Sequence, residues 1–180
     1  MGMFFDHRDI EMSRVPPITI TQLSPKLSNK VERGLNSRML SSAIPIQVWA
    51  HRDELACTWL DLLETMHNSR LLESRLRELI RLKIASITQC KVCQIARKSD
   101  DVDEFDVACL SYLDDHFTPA EQGALHYAEL FASDYMAIDD AIYDELYKHF
   151  SVAEVVELNM YCALILAGGR MTFVQQAYET

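Results

Sequence analysis

The 180-residue chain contains little glycine or proline, five of each, and no interior segment in which they cluster as an interdomain linker. It also lacks a long hydrophobic run, because the longest apolar stretch, residues 160–167, is far below the ~20 residues of a membrane-spanning helix. Basic residues are in the minority, with 17 Lys and Arg against 27 Asp and Glu, giving a net charge of −10. This balance argues against nucleic-acid or anionic membrane partners, which both require clustered positive charge.

The N-terminus and the cysteines indicate where the protein works. No basic cluster precedes an apolar stretch at the N-terminus, so we expect no secretory signal and a cytoplasmic location. In that reducing compartment the five cysteines are not expected to form a disulfide framework, and their odd number leaves at least one outside any pairing. A zinc site is disfavoured, because zinc normally requires a second ligand pair, and Cys57, Cys109 and Cys162 are isolated. We predict neither a metal nor a cofactor.

Residues 1–23 differ from the rest of the chain. Adjacent prolines at 16 and 17 and the β-branched residues 18–21 favour an extended arm over a helix. The arm carries large apolar side chains that need a surface to pack on, namely Met3, Phe4, Phe5, Val15, Ile18 and Ile20. We therefore predict an N-terminal arm over residues 1–23 and a single helical domain over residues 24–180.

From residue 24 onward, apolar residues recur at intervals of three and four, which is typical of amphipathic helices. Ser24 before Pro25 is a typical helix cap, and Asp53 is a candidate cap for a later helix. Thr118 and Ser151 are each followed three residues later by glutamate, the capping-box pattern. The helix after Ser151 is apolar on most sides, and we predict that it is central. No sustained alternation of period two occurs outside the arm, so the predicted fold class is an all-α bundle of seven to eight helices.

Residues 78–98 carry the most suggestive chemistry. Cys90 and Cys93 follow a predicted helix start, where unpaired backbone N–H groups favour a thiolate. If that helix continues, the two cysteines and Arg97 share one face, with a fixed positive charge one turn beyond Cys93. One thiol of such a pair can attack an oxidant while the other resolves the product as a disulfide. The alternative is that both cysteines are small core residues.

Glu78 followed by Cys90 and Cys93 resembles the core motif of the alkyl hydroperoxidase D-like branch of the carboxymuconolactone decarboxylase superfamily. Three further segments resemble that family: residues 13–17, 118–129 and 150–158. The resemblance implies an all-helical fold and homo-oligomers, as dimers, trimers or hexamers. It also implies peroxide reduction by the cysteine pair, with a thiol reductant, either a protein or a small thiol, as partner.

The resemblance also implies roles for individual residues. Cys93 would attack the peroxide, Cys90 would resolve the product, and Glu78 would belong to the proton relay. The relay histidine of the family is Arg97 in this chain, and an arginine stays charged and accepts no proton. We therefore expect slow peroxide reduction that rises in Arg97→His. An ion pair between Glu78 and Arg97 is an alternative arrangement.

Three functions remain open at this point. The first is a peroxide-reducing thiol-disulfide enzyme, in which fast turnover would require His51 or His126 as the substitute proton carrier. The second is a non-redox enzyme acting on a small molecule, as carboxymuconolactone decarboxylases do. The third is a structural or interaction protein that has kept the fold and lost the chemistry. A thiol count before and after mild peroxide separates them, because only the redox function consumes Cys90 and Cys93 together.

Overall fold

The computed structural model describes residues 13–111 and 116–178, and the regular structure within these ranges is entirely helical. This confirms the all-α class and the predicted bundle, since eight of the α-helices within these ranges have six or more residues and the remaining one has five. The α-helices are α1 (Pro25–Asn36), α2 (Ile44–Trp49), α3 (Asp53–Asn68), α4 (Ser74–Thr88), α5 (Lys91–Ile95), α6 (Glu104–Cys109), α7 (Pro119–Ser133), α8 (Asp140–Tyr147) and α9 (Val152–Gln175). Short 3-10 turns cover Ile20–Gln22, Ala50–Arg52 and Tyr135–Ala137.

Polar caps set where several of these helices begin. The Ser24 hydroxyl accepts a hydrogen bond from a first-turn N–H of α1, and Thr118 and Ser151 form capping boxes at α7 and α9, as predicted. A cap of this kind typically contributes about 1 kcal/mol. The prediction for Asp53 is wrong by one position, because Arg52 precedes α3. The Asp53 carboxylate instead accepts a hydrogen bond of 2.7 Å from the Ser24 hydroxyl, which joins the starts of α1 and α3.

Helix α4 lies at the centre of the molecule and packs against α5, α6, α7 and α9. Its residues Leu79, Ile80 and Ile84 are fully buried. The main apolar core joins α4 to α7, α8 and α9, and a second core joins α1, α2 and α3. Three charged residues of α4 are also buried: Glu78, Arg81 and Lys83. The centre of the bundle therefore contains ionisable groups that need partners.

The prediction that α9 is the central helix is only partly met. This helix packs against α4, α7 and α8 and buries Leu158 and Cys162, but Val152, Val156 and Met160 are 66%, 53% and 49% exposed. By length and apolar composition alone α9 is a candidate membrane span, a test that the core helix of a soluble protein also passes. The central place belongs to α4, because α4 is buried on more sides.

The contact between α4 and α9 is especially close at Gly169. A Cβ atom at this position would lie 2.7 Å from Thr88 Oγ1, so a larger residue would force one of the two helices to shift. The neighbouring Gly168 faces α3, where a Cβ atom would lie 3.4 Å from Trp59 Cζ2. The two glycines therefore let α9 approach both α3 and α4.

The described part of the arm, residues 13–23, lies against its own chain. Arg14 donates two hydrogen bonds to carbonyls at the end of α9, at 2.7 and 2.9 Å. Ile18 exchanges two hydrogen bonds with Gln47 of α2, at 3.1 and 2.9 Å. Ile18 and Leu23 pack against the core of α1, α2 and α3, whereas Ile20 is 50% exposed. Ile18 therefore needs no neighbouring subunit, and oligomerisation stays a prediction. Three apolar residues of the predicted arm lie outside the described residues: Met3, Phe4 and Phe5.

Candidate active site

Cys90 and Cys93 are joined by a disulfide at the start of α5, with their Cα atoms 5.2 Å apart. Helix α4 ends at Thr88, and Gln89 adopts a left-handed conformation, with φ 54° and ψ 30°, that turns the chain. Cys90 is therefore the residue that precedes α5, and Cys93 lies in its first turn. The prediction that the two cysteines meet at a helix start within bridging distance is confirmed.

The two sulfurs have different surroundings. Cys90 is completely buried, with 0% of its surface exposed. Cys93 is partly exposed and lines a cavity enclosed by residues of α2, α3, α4 and α9. Cys93 is therefore the cysteine of the pair that a small molecule in the cavity can contact.

The cavity has a volume of about 170 Å³ and mostly apolar walls. Trp49 and Trp59 supply aromatic surface, with ring centroids 5.5 Å apart and an angle of 71° between the ring planes. The indole N–H of Trp49 donates to Gln175 Oε1 at 2.7 Å, which fixes the ring. Aliphatic side chains from three helices complete much of the wall, namely Ile46, Leu63, Leu164 and Ile165.

Glu78 and Arg81, one turn apart on α4, form a buried ion pair on the cavity wall. Arg81 Nε and Nη2 each lie 2.7 Å from a different Glu78 oxygen, and one of these oxygens also accepts the N–H of Lys98 at 2.8 Å. Arg81 further donates to the carbonyls of Cys93 and Ala96. The Glu78 carboxylate therefore acts as an acceptor, and Arg81 fastens the cysteine-bearing helix to α4.

Arg97 lies apart from this ion pair. Helix α5 ends at Ile95, so the helical face predicted to continue from the cysteines does not reach Arg97. Its guanidinium donates to the three preceding backbone carbonyls and to the Glu104 carboxylate, at 2.7 Å. The alternative ion pair between Glu78 and Arg97 does not form, because Arg81 occupies the Glu78 carboxylate and Arg97 pairs with Glu104.

Lys98 brings a further positive charge to the cavity wall. Its ammonium group donates to the carbonyls of Arg38 and Met39, both at 2.8 Å, and to Ser41 Oγ at 2.9 Å. Burial, followed by the nearby charge of Arg81, lowers the pKa of Lys98 to about 7. Three acceptors for three N–H groups nevertheless favour the charged form and hold it in place.

His67, rather than His51 or His126, is the histidine found on the cavity wall. His51 forms a hydrogen bond of 2.8 Å with a carbonyl of the arm. Burial, and then the charges of Arg77 and Lys98, lower the pKa of His67 below its ordinary value. The lowered pKa favours the neutral form of the His67 imidazole.

Arg77 also lines the cavity, and its hydrogen bonds are incomplete. Its Nη1 atom donates to the carbonyls of Met66 and His67 at the end of α3. Its Nε atom is buried and has no hydrogen-bond partner among the described residues. None of the carboxylates in the described part of the chain forms a salt bridge with Arg77. Arg77, which is partly exposed, is thus a cation on the wall without a counter-charge among residues 13–111 and 116–178.

The described residues contain no group of three His, Cys, Asp or Glu side chains placed to ligate a metal ion. The other three cysteines are buried and outside the disulfide: Cys57, Cys109 and Cys162. Burial raises the pKa of Cys162 to about 12, which makes that thiol unreactive at neutral pH. The redox chemistry available at the cavity is therefore that of the Cys90–Cys93 pair.

Sequence reasoning missed several residues of this site. Arg81 had a visible signal, because it lies three residues after Glu78 on a predicted helix, where side chains meet. Trp49 and Trp59 had no comparable signal, since they come from segments distant from the cysteine motif and reach the cavity only through tertiary packing. Lys98 ends the segment 78–98, but its place on the cavity wall depends on contacts with the distant residues 38–41.

Comparison with known proteins places this geometry in a fold group. A scan against models of protein families finds no match, and a search of curated proteins finds no similar sequence. Among solved structures, the debrominase Bmp8 without ligand matches 92% of this chain and 91% of its own, with a TM-score of 0.77 and 20% identity. A cysteine-to-alanine variant of Bmp8 in complex with 2,3,4-tribromopyrrole matches 96% of this chain and 93% of its own, with a TM-score of 0.76 and 18% identity.

A third solved structure, a peroxidase-related protein from Ralstonia eutropha JMP134 described as an alkylhydroperoxidase AhpD core, covers 95% of this chain and 94% of its own. Its TM-score is 0.73 and its identity 16%. At such identities the likeness concerns the fold. The chain therefore has, over nearly its whole length, the helical fold of the alkyl hydroperoxidase D-like proteins.

Proposed function

We propose that the protein is a thiol-disulfide oxidoreductase that reduces a small organic molecule at Cys93, with an organic hydroperoxide as the first candidate substrate. One observation carries the proposal: the disulfide joins a fully buried cysteine, Cys90, to a cysteine on the wall of a small apolar cavity, Cys93. This asymmetry gives the two cysteines separate roles. Cys93 contacts the substrate, and Cys90 lies next to Cys93 and resolves its oxidised form.

The reaction begins from the reduced pair. The Cys93 thiolate attacks the terminal oxygen of the hydroperoxide, the O–O bond breaks, and the alkoxide leaves with a proton as the alcohol. Cys93 is then a sulfenic acid. The Cys90 thiol attacks its sulfur and releases water, which forms the disulfide. Two thiols and one hydroperoxide thus give one disulfide, one alcohol and one water, and an external thiol reductant returns the disulfide to the reduced pair.

Residues on the cavity wall favour ionisation of the Cys93 thiol and offer an acceptor for its proton. The positive charge of Lys98 faces the same cavity as Cys93 and favours the ionised sulfur, while that of Arg81 is largely compensated by Glu78. Glu78 is occupied as an acceptor, so we assign the proton instead to the neutral imidazole of His67. His67 takes the Cys93 proton, directly or through water, and returns it to the leaving alkoxide.

A thiol count with cumene hydroperoxide tests this function. We expect two of the five thiols of the reduced protein to be lost on brief oxidation and to return with dithiothreitol. Peptide mass spectrometry should place the bridge between Cys90 and Cys93. Cys93→Ser should abolish alcohol formation, and Cys57→Ala, a buried cysteine outside the cavity, is the matched control that should retain it. Thiols that stay reduced, or a bridge to another cysteine, would contradict the proposal.

Reductive debromination is a second candidate, favoured by the apolar cavity and by the fold likeness to a debrominase. In this reaction the Cys93 thiolate takes the bromine from an aromatic carbon, and the ring carbon takes a proton. Cys90 then displaces bromide and forms the disulfide. Two thiols and one bromoarene thus give one disulfide, one arene, bromide and a proton.

The reaction products distinguish a peroxidase from a debrominase, and both from a non-redox enzyme or a structural protein. Incubation of the reduced protein with 2,3,4-tribromopyrrole yields bromide if it is a debrominase, and incubation with cumene hydroperoxide yields the alcohol if it is a peroxidase. His67→Asn should slow either reaction without changing the final thiol count, because the imidazole moves a proton and no electrons. A non-redox enzyme would convert its substrate without loss of thiols, and a structural protein would do neither.

A further inference from the structure

The size of the cavity limits what it can hold. Its volume is about 170 Å³. An engineered apolar cavity of about 150 Å³ in another protein stays dry and binds benzene, so a space of this size corresponds to a single five- or six-membered ring. The indole rings of Trp49 and Trp59 provide aromatic surface against which a flat ring can stack. A long-chain or multi-ring molecule would have to extend out of the cavity.

The charges on the wall do not cancel. Three of the lining residues carry positive charge and one carries negative charge. The negative residue, Glu78, is fully paired with Arg81. The remaining charges belong to Arg77 and Lys98, so the otherwise apolar cavity has a positive wall without a counter-charge among its lining residues.

The positive charge on the wall affects the pKa values of two titratable groups. The pKa values of both Lys98 and His67 are lowered, mainly by burial and then by neighbouring cations: Arg81 for Lys98, Arg77 and Lys98 for His67. Burial disfavours a charge of either sign, whereas the neighbouring cations disfavour a further positive charge and favour a negative one by the same electrostatic interaction.

Arg77 supplies the donor for such a charge. Arg77 Nη1 is used by carbonyls of α3, and Arg77 Nε is buried out of reach of a ligand. The Nη2 atom has no hydrogen-bond partner in the described part of the chain and is not among the buried polar atoms, so Arg77 has a donor left for a ligand. A carboxylate oxygen of a ligand would complete its hydrogen bonding and neutralise its charge.

We propose that the cavity beside Cys93 takes a single-ring organic acid, with its ring among the cavity's aromatic and aliphatic side chains and its anionic group on Arg77. This substrate class rests on the proposed function, in which the same cavity holds the substrate of Cys93. Lys98 adds to the positive charge when it is protonated, but its own N–H groups are used by the loop at residues 38–41, so the hydrogen bond to the anion falls to Arg77.

Binding of benzoate and of benzamide to the oxidised protein tests the proposal without any turnover. The two probes share ring and size but differ in charge. The chain has only two tryptophans, and both lie on the cavity wall, so their fluorescence reports occupancy, with isothermal calorimetry as a second readout. We expect benzoate to bind at least about tenfold more tightly than benzamide, a difference of about 1.4 kcal/mol.

Variants assign the preference to the arginine. Arg77→Met should remove the preference for benzoate, Arg77→Lys should retain part of it, and Arg33→Met, an exposed arginine of α1, should leave it unchanged. Circular dichroism checks that each variant is folded. Equal affinities for the two probes, no binding of either, or a preference that survives in folded Arg77→Met would overturn the proposal.

Failure of this inference is distinguishable from failure of the proposed function. If benzoate and benzamide bind alike while hydroperoxide still consumes the two thiols, the acid is wrong and the redox function stands. If benzoate binds through Arg77 while the thiols never react, the cavity is an acid-binding site and the redox function is wrong.

Discussion

Replacing Arg81 by methionine should strongly destabilise the protein, because it leaves Glu78 buried without its counter-charge. Both side chains are almost completely inside, with 4% and 1% exposed. Removal of one partner of such a buried pair typically costs about 3–5 kcal/mol, a large fraction of the about 5–15 kcal/mol of a typical domain. The carbonyls of Cys93 and Ala96 also lose their donor, so the cysteine-bearing helix should loosen as well.

Urea unfolding followed by circular dichroism measures this cost. Arg33→Met is the matched control, since Arg33 pairs with Glu64 on the surface, with the two side chains 61% and 38% exposed, and such a pair contributes at most about 1 kcal/mol. Adding Glu78→Gln to Arg81→Met removes the uncompensated charge, so the double variant should be more stable than Arg81→Met alone. An Arg81→Met protein as stable as the control, or no recovery in the double variant, would refute the reasoning.

Three further predictions concern reactivity and pH. In the reduced protein, iodoacetamide at neutral pH should label Cys93 well before Cys162, because burial raises the pKa of Cys162 to about 12. Peptide mass spectrometry measures the two labelling rates, and equal rates would contradict the assignment of Cys93 as the reactive thiol. A hydrogen bond from the Arg75 guanidinium holds the pKa of Asp106 below its usual range. The ionised Asp106 therefore raises the free energy of unfolding at pH values above its unfolded-state pKa of about 4, and this stabilisation is lost as the pH falls towards its lower pKa in the folded protein. Asp106→Asn should therefore lower stability at neutral pH and flatten its decline in acid, whereas an unchanged acid limb in urea unfolding would show that Asp106 is not responsible. Arg97→His should fall short of the about hundredfold gain in peroxide turnover that a relay histidine contributes, because the Arg97 side chain lies with Glu104; a gain of that size would mean that residue 97 reaches the site during turnover.

Features set by nearby residues were predictable from the sequence. The capping boxes at Thr118 and Ser151 depend on side chains three residues apart, and both form as predicted. The cysteine pair is local in the same sense, because its spacing and the preceding turn bring the sulfurs together. The all-α class follows from periodicity summed over many segments, so errors at single boundaries do not change it.

Features set by distant residues were not predictable in this way. The length of α5 decided whether Arg97 shares a face with the cysteines, and that helix ends after five residues where Arg81 binds the carbonyl of Ala96. The cavity could not be found from the motif, since its wall is assembled from five helices spread over more than half the chain. Charge pairing failed for a similar reason: two arginines compete for Glu78, and only the three-dimensional arrangement selects Arg81.

The two adjacent glycines of α9 influence the shape of the cavity without supplying any of its reactive groups. Gly169 is constrained by Thr88, because a methyl group there would collide with the hydroxyl. Gly168 has more freedom, since a methyl group there would come to 3.4 Å from Trp59 and narrow the chamber from one side. The reactive sulfur and the charges come from α4, α5 and the segment after it, and no change at Gly168 alters them. A single small substitution at Gly168 can therefore change which ring the cavity admits, while the cysteine pair and the charged residues around it remain unchanged.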